Sequence, residues 1–384
     1  VPSEGRISVR LAYALVAETK FMTAPKTLDD LTTPAVLLDR GRLDRNIKSM
    51  QAVCDAHGVA LWPHIKTHKM VEVARRQLAA GARGLTCAKI GEAEAMLPSG
   101  VRRIFIAHSL VDVRAAPRLA ALADQLDELY VAATSVGQSE ALARLAVATD
   151  RELKVVLAVD TGLDREGVRD LEAAQAVAAI VAACPQLKLA AVYTHEGQLY
   201  GATPEEQVEK TEAVLQRLIA VRDAVDPTLP LWPGCSVTAK LMAATDRVQV
   251  VRPGAYMFGD MALAVGSKVM AASDVAVHVL VTVVDRPAPG LALIDAGSKV
   301  FSSDKSQAGL NGIAADGRDI QVVRLNEEHG YLRGGEVDSL QIGDRLQIMP
   351  PHVCTVINLT DHVTVVEGDQ VVDRWTVDAR GRVD

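Results

Sequence analysis

The sequence predicts an α/β protein: a (β/α)8 TIM-like barrel over residues 22–262, followed by a smaller all-β domain over residues 263–384. Three observations carry this. From Pro34 onward, short β-branched runs alternate with helix-length, alanine-rich amphipathic segments, the order expected of parallel strands joined by crossover helices. Eight or nine such units within roughly 230 residues suit a closed barrel better than an open sheet. After about Phe258 the texture changes to short strands parted by Gly, Asp and Pro.

The predicted barrel strands are Pro34–Asp39, Val59–Lys66, Gly84–Lys89, Arg103–His108, Glu128–Thr134, Leu153–Asp160, Leu187–His195, Leu231–Cys235 and Arg247–Pro253. Helical patterns lie between them at Gly41–His57, Met70–Ala80, Ile90–Leu97 and Thr203–Val225. No GxGxxG follows the first strand, which argues against a dinucleotide-binding fold. In the second domain the expected strands are Val275–Val284, Gly290–Asp295, Ile320–Leu325, Tyr331–Arg333, Asp344–Ile348 and Val363–Glu367. Gly334-Gly335 and Gly368-Asp369 read as hairpin turns. Met22-Thr-Ala-Pro-Lys looks like a natural start, so residues 1–21 read as an upstream extension.

Bulk properties exclude several functions. With a net charge of −7 and 3% aromatics, the chain lacks the basic stripe and stacking rings of a nucleic-acid binder. No run approaches the ~18 apolar residues of a membrane span, so no membrane partner is expected. Five scattered cysteines with no CxxC read as reduced thiols in a cytoplasmic protein.

The chemistry centres on Ala60-Leu-Trp-Pro-His-Ile-Lys66-Thr-His-Lys-Met70. A lysine at the carboxyl end of a buried strand points to the mouth where α/β barrels keep their active sites. Desolvation there lowers an ammonium pKa toward the free amine that Schiff-base chemistry needs. Polar groups recur at successive strand ends: Lys66, His108, Asp160 to Arg165, His195, Ser236 and Arg252. The loops Pro233-Gly-Cys-Ser236-Val-Thr238 and Arg252-Pro-Gly254-Ala-Tyr256 follow the last strands, where barrels commonly bind phosphate through exposed N–H groups and hydroxyls. An early lysine facing a late phosphate loop is the layout that pyridoxal phosphate requires. His352-Val-Cys354 is a two-ligand metal candidate, because residues two apart on an extended strand project to one face.

Pro63-His-Ile-Lys66-Thr-His-Lys69 resembles the Schiff-base motif of fold-type III pyridoxal-phosphate enzymes, in the D-threonine aldolase and D-serine dehydratase branch. Thr33-Pro-Ala35, Asp160-Thr-Gly-Leu-Asp-Arg165-Glu-Gly167, Arg252-Pro-Gly-Ala-Tyr-Met-Phe258, Asp295-Ala-Gly297 and Glu327-Glu-His329-Gly330 are similar to that branch in the same order. The resemblance implies Lys66 as the Schiff-base lysine, Arg165 beside the cofactor ring, and Ser236, Gly254 and Tyr256 in the phosphate cup, with Thr238 in the same loop. It implies a homodimer, a β-hydroxy D-amino acid substrate, and a divalent metal at His352 and Cys354. Imidazole and thiolate favour zinc by ligand softness; a carboxylate ligand would suit manganese or magnesium. His195 and Tyr200 would position cofactor or substrate.

Two reactions remain. A dehydratase expels the β-hydroxyl and yields a 2-keto acid and ammonia; an aldolase breaks Cα–Cβ and yields glycine and an aldehyde. The pattern Thr194-His195-Glu-Gly-Gln-Leu-Tyr200 and the His-x-Cys pair look more like the dehydratases, while Asn358-Leu-Thr-Asp361 and the closing Trp375…Ala379-Arg-Gly381 resemble the aldolases equally well. The expectation is a D-serine dehydratase-type lyase, with aldol cleavage as the alternative. An amino-acid racemase is a further alternative, needing a second base from the β-domain and no metal.

Overall fold

Residues 25–384 are described by the computed structural model; the expected extension over residues 1–21 lies outside them. Regular structure begins with β1 (Ala35–Asp39) and α1 (Arg40–Ala56), whose first turn is capped by the Asp39 side chain accepting Arg42 N–H at 2.8 Å. Strand and helix then alternate: β2 (Ala60–Leu61), α2 (Val71–Ala80), β3 (Leu85–Cys87), α3 (Ile90–Met96), β4 (Arg103–Ile106), α4 (Ala116–Ala123), β5 (Glu128–Ala133) and α5 (Val136–Thr149). The series continues with β6 (Leu153–Ala158), α6 (Leu171–Ala183), β7 (Leu187–Tyr193), α7 (Pro204–Val225), β8 (Leu231–Trp232), α8 (Ala239–Ala243) and β9 (Val250–Val251).

Strands β3 to β8 form one six-stranded parallel sheet in chain order, and β2 pairs with β9 in a second parallel sheet. A single bridge, His64↔Thr86, links the end of β2 to β3. Burial along β4 to β6 is nearly continuous, as parallel strands covered on both faces require. Alternation decides which residue meets which layer: Leu129, Val131 and Ala133 join the main core, whereas Tyr130 and Ala132 join a cluster with Trp62, Phe105, Tyr193 and Trp232. Those rings meet largely edge-on, Trp62–Tyr130 at 5.3 Å and Phe105–Tyr193 at 5.1 Å between centroids.

Second-domain elements are β10 (Val277–Ala288), β11 (Leu291–Ile294), α9 (Ser298–Phe301), β12 (Gly312–Ala314), β13 (Gln321–Leu325), β14 (Gly330–Arg333), β15 (Arg345–Met349), α10 (Val353–Leu359), β16 (His362–Glu367) and β17 (Gln370–Thr376). They form a mostly antiparallel sheet in the order β11-β14-β13-β12-β15-β10-β1-β16-β17, and the extra β10–β11 pairing gives it a barrel-like closure. β12 and β17 were not anticipated.

Three expectations are corrected. The strand at Pro34–Asp39 is not a barrel strand: β1 pairs antiparallel with β10 and parallel with β16. A uniformly apolar Ala-Val-Leu-Leu run carries no mark of its partners, so its neighbours are set by the distant strands. Gly334-Gly335 is no hairpin. It leads into a 3-10 turn at Val337–Ser339, and a Cβ at Gly334 would collide with the Asp319 carbonyl. Gly368-Asp369 does join β16 to β17, with Glu367 opposite Gln370. Finally, His352 and Cys354 do not share a strand. Pro350-Pro351 follows β15; His352 is the N-cap of α10 and Cys354 lies in its first turn.

Candidate active site

The carboxyl ends of the parallel strands and the 304–313 loop of the second domain enclose a cavity of about 920 Å³, a size typical of small-molecule sites. Lys66, Arg165, His195, Tyr200, Ser236, Gly254, His352 and Cys354 all line it. Thr238 and Tyr256 do not. Tyr256 is buried with its hydroxyl accepting Gln77 Nε2–H at 3.1 Å, and Thr238 is buried with its hydroxyl toward Glu196 Oε2 at 3.4 Å. Thr238 and Tyr256 thus brace the wall behind the cavity.

Lys66 lies in the turn after β2, which closes through Lys69 N–H donating to Ile65 O at 2.8 Å. Lys69 has φ +52° and sends its side chain away from the cavity to a buried ion pair with Glu92 at 2.8 Å. The two lysines therefore do different things. Burial, reinforced by the cations Lys66 and Arg252, pushes the His64 and His195 imidazoles well below the ordinary histidine range, so both are neutral at neutral pH. Burial also pushes the Tyr200 phenol up, keeping it protonated. Asp160 does not reach the cavity. Its Oδ1 accepts the N–H groups of Gly162, Leu163 and Asp164, which shapes the loop that presents Arg165.

At the other loops, Gly254 and Ala255 N–H groups point to Ser236 Oγ at 3.2 and 2.9 Å. A Cβ on Gly254 would come within 3.0 Å of Thr67 Oγ1 and 3.3 Å of His64, so the position admits little beyond glycine. Behind this cradle Glu196 accepts Gly234 N–H on both oxygens, at 3.0 and 3.1 Å, and burial raises its carboxyl to about 7. An amine, a guanidinium, a hydroxyl and close-approaching glycine backbone in one cavity fit pyridoxal phosphate. Arg252, anticipated as a strand-end group, does line the cavity, and there it donates to Trp232 O and Thr194 O and stacks on Phe105 and Tyr193.

His352 and Cys354, the expected metal ligands, enter from the second domain. His352 Nδ1 lies 2.7 Å from Asp304 Oδ2, and Cys354 Sγ lies 3.2 Å from Thr67 Oγ1. Burial would raise the Cys354 thiol, but His352, Lys66 and Thr67 outweigh it and hold the thiol below its ordinary value; the Cys354 hydrogen bond in turn lifts His352 to about 10. Imidazole and a thiolate-prone sulfur are a donor set for a borderline-soft divalent ion. Among the described residues no three His, Cys, Asp or Glu side chains are arranged so that they could hold one metal ion together. Asp260 also lines the cavity and accepts Val353 N–H at 3.0 Å, fixing the start of α10. Sequence reasoning missed Thr67, Asp260 and Asp304. Thr67 adjoins Lys66 and was within reach; Asp304 lies in a polar loop without local signal.

Fold and cavity together define an enzyme whose lysine-bearing parallel sheet meets a β-domain that brings His352 and Cys354 to the same cavity. Residues 38–262 match the family profile described as alanine racemase, N-terminal domain, and residues 276–366 match a serine dehydratase domain. The D-threonine aldolase of an Arthrobacter species is 30% identical, covering 91% of this chain and 93% of that one. The D-threo-3-hydroxyaspartate dehydratase of a Delftia species is 32% identical over 91% of this chain and 98% of its own; its solved structure superimposes with a TM-score of 0.82. The crystal structure of D-threonine aldolase from Filomicrobium marinum is 28% identical, covers 94% of this chain and 99% of that one, and has a TM-score of 0.85. The chain belongs to the fold-type III pyridoxal-phosphate-dependent lyases built from an alanine racemase N-terminal domain and a serine dehydratase domain.

Proposed function

We propose that this chain dehydrates β-hydroxy D-amino acids of the D-serine or D-threonine type to a 2-keto acid and ammonia, using pyridoxal phosphate and a divalent metal, with zinc favoured by ligand softness. The carrying observation is that His352 and Cys354 open on the same cavity as Lys66, with Thr67 between the lysine and the thiol. Support comes from the Delftia relative named a D-threo-3-hydroxyaspartate dehydratase, and from a cysteine-to-alanine variant of a D-threo-3-hydroxyaspartate dehydratase solved in a metal-free form. A closed barrel of eight parallel strands, β2 to β9, and a homodimer belong to the same reading; sedimentation velocity tests the latter.

When bound, the cofactor supplies an electron sink for the pair left at Cα, and the ion supplies a Lewis acid for the β-hydroxyl. Lys66 would hold the cofactor, and its amine would take the Cα proton. Ser236 and the Gly254 backbone would hold the phosphate, and Arg165 would supply positive charge beside it. Neutral His195 and protonated Tyr200 would orient cofactor and substrate by hydrogen bonding without adding charge. His352 and Cys354 would hold the ion. The 304–310 loop lines the cavity and is braced by Gln307 Nε2–H donating to the Tyr200 carbonyl at 3.4 Å.

The aldolase reading has its own support in the Arthrobacter and Filomicrobium relatives named D-threonine aldolase. Incubation with D-threonine separates the two: 2-oxobutanoate marks dehydration, glycine with acetaldehyde marks aldol cleavage, and neither product discredits both.

A further inference from the structure

We infer that Asp304 is a positioning residue for the metal centre: it takes one edge of the His352 ring, so that the other edge faces the ion together with Cys354. The inference rests on the metal reading proposed above and concerns a residue that touches neither ion nor substrate.

The geometry begins with the 2.7 Å contact between His352 Nδ1 and Asp304 Oδ2. A carboxylate accepts, so Nδ1 carries a hydrogen here, and once the ring gives up its other proton to serve as a ligand its lone pair must sit on Nε2. A histidine at a helix N-cap has no backbone constraint that selects one ring edge over the other. A partner from a different segment must do so, and Asp304 stands on the loop after α9, remote in sequence from α10.

Asp304 is itself held from three sides. Its backbone N–H donates to Ser302 Oγ at 3.1 Å, and its carbonyl accepts Asn311 Nδ2–H at 3.1 Å. The Thr355 hydroxyl, one helical residue beyond Cys354, lies 3.0 Å from Asp304 Oδ2 and 3.2 Å from the His352 carbonyl. Ser302 donates to that same hydroxyl at 3.0 Å. The first turn of α10 and the 302–311 loop are thus stitched together at the imidazole. Asp260, the other acid at this joint, spends its oxygens on the backbone N–H groups of Leu263 and Val353 and shapes the helix start instead. Carboxylates that accept the second N–H of a metal-bound histidine fix its tautomer and raise its basicity, and losing one typically costs about 10–100-fold in metal affinity.

The test uses the holoenzyme, stripped of metal with a chelator and titrated with Co(II). Its d–d absorption reports ligand geometry where the bound cofactor does not absorb. Asp304→Ala is expected to weaken Co(II) binding about 10–100-fold and to change the d–d envelope. Cofactor absorbance and thermal unfolding of the metal-free holoenzyme should match wild type. Asp304→Asn keeps an acceptor oxygen without the charge, so its affinity should fall between the two. Asp304→Ala binding Co(II) with wild-type affinity and spectrum overturns the inference alone. Lost metal-free stability in step with affinity assigns Asp304 to the fold and overturns it too. Wild type that binds neither Co(II) nor Zn(II) overturns the metal reading and this inference together.

Discussion

Thr67 Oγ1 and Cys354 Sγ lie 3.2 Å apart although 287 residues separate them. One residue beyond Lys66, the turn after β2 reaches the thiol of the second domain. A hydroxyl that donates to a thiolate stabilises its charged form, and hydrogen bonds to charged groups are worth about 1.5–3 kcal/mol. Thr67→Val keeps the shape and deletes the donor. Zinc affinity, measured by competition with a chromophoric chelator, should fall about tenfold or more. Unchanged affinity would show that the contact contributes nothing to the metal centre.

Lys66→Ala removes both the covalent attachment and the proposed Cα base. Turnover should drop by at least about 10²–10⁴-fold, the usual share of a positioned acid–base group. The visible band of lysine-bound cofactor should vanish, while non-covalent cofactor remains detectable by dialysis. A variant retaining that band would move the attachment to another lysine.

Lys69→Met should fail differently. It strands Glu92, whose side chain is 2% exposed, without its counter-ion at 2.8 Å. Breaking a buried pair this way costs about 3–5 kcal/mol, read as a lowered denaturant midpoint. Cofactor absorbance at low denaturant should persist.

Glu196 predicts a pH effect on stability. Burial lifts its folded-state value from 4.5 to about 7, so between those limits the fold binds more protons than the unfolded chain. Its contribution is fully present below pH 4.5 and is lost as pH rises through about 7. Glu196→Gln keeps an acceptor for Gly234 N–H and cannot ionise. Above pH 7 it should be more stable than wild type by up to on the order of 3 kcal/mol, converging with it near pH 4. Parallel stability–pH curves for the two proteins would refute the assignment.

Much of the architecture was legible from pattern alone. The β-then-α rhythm located the parallel strands, although the expected Val59–Lys66 contracts to Ala60–Leu61 and Arg247–Pro253 to Val250–Val251. Pro63 and Pro253 lack an N–H for the ladder, although His64 N–H still reaches Pro253 O at 3.0 Å and Ile65 N–H reaches Thr86 O at 2.8 Å. The chain then turns, closed by Lys69 N–H on Ile65 O, and Lys66 and Gly254 meet at the cavity. The loop at Gly254 could be read for a phosphate cradle because small residues and exposed N–H groups are local properties. Tyr256, two residues on, could not be separated from that cradle by sequence, since the backbone after Gly254 turns its ring toward Gln77.

The amino-acid order anticipated the two-part architecture from its periodicity, and singled out Lys66, His352 and Cys354 through motifs that resemble a known family. Those depend on periodicity and residue chemistry, which are written locally. Tertiary structure decided that Lys66 rather than Lys69 faces the cavity, that β1 pairs with β10 and β16, and that Thr67 and Asp304 contact Cys354 and His352. Each of those is a contact across more than 20 residues of sequence. Its partner is selected by packing and backbone direction, for which neither residue carries a local mark.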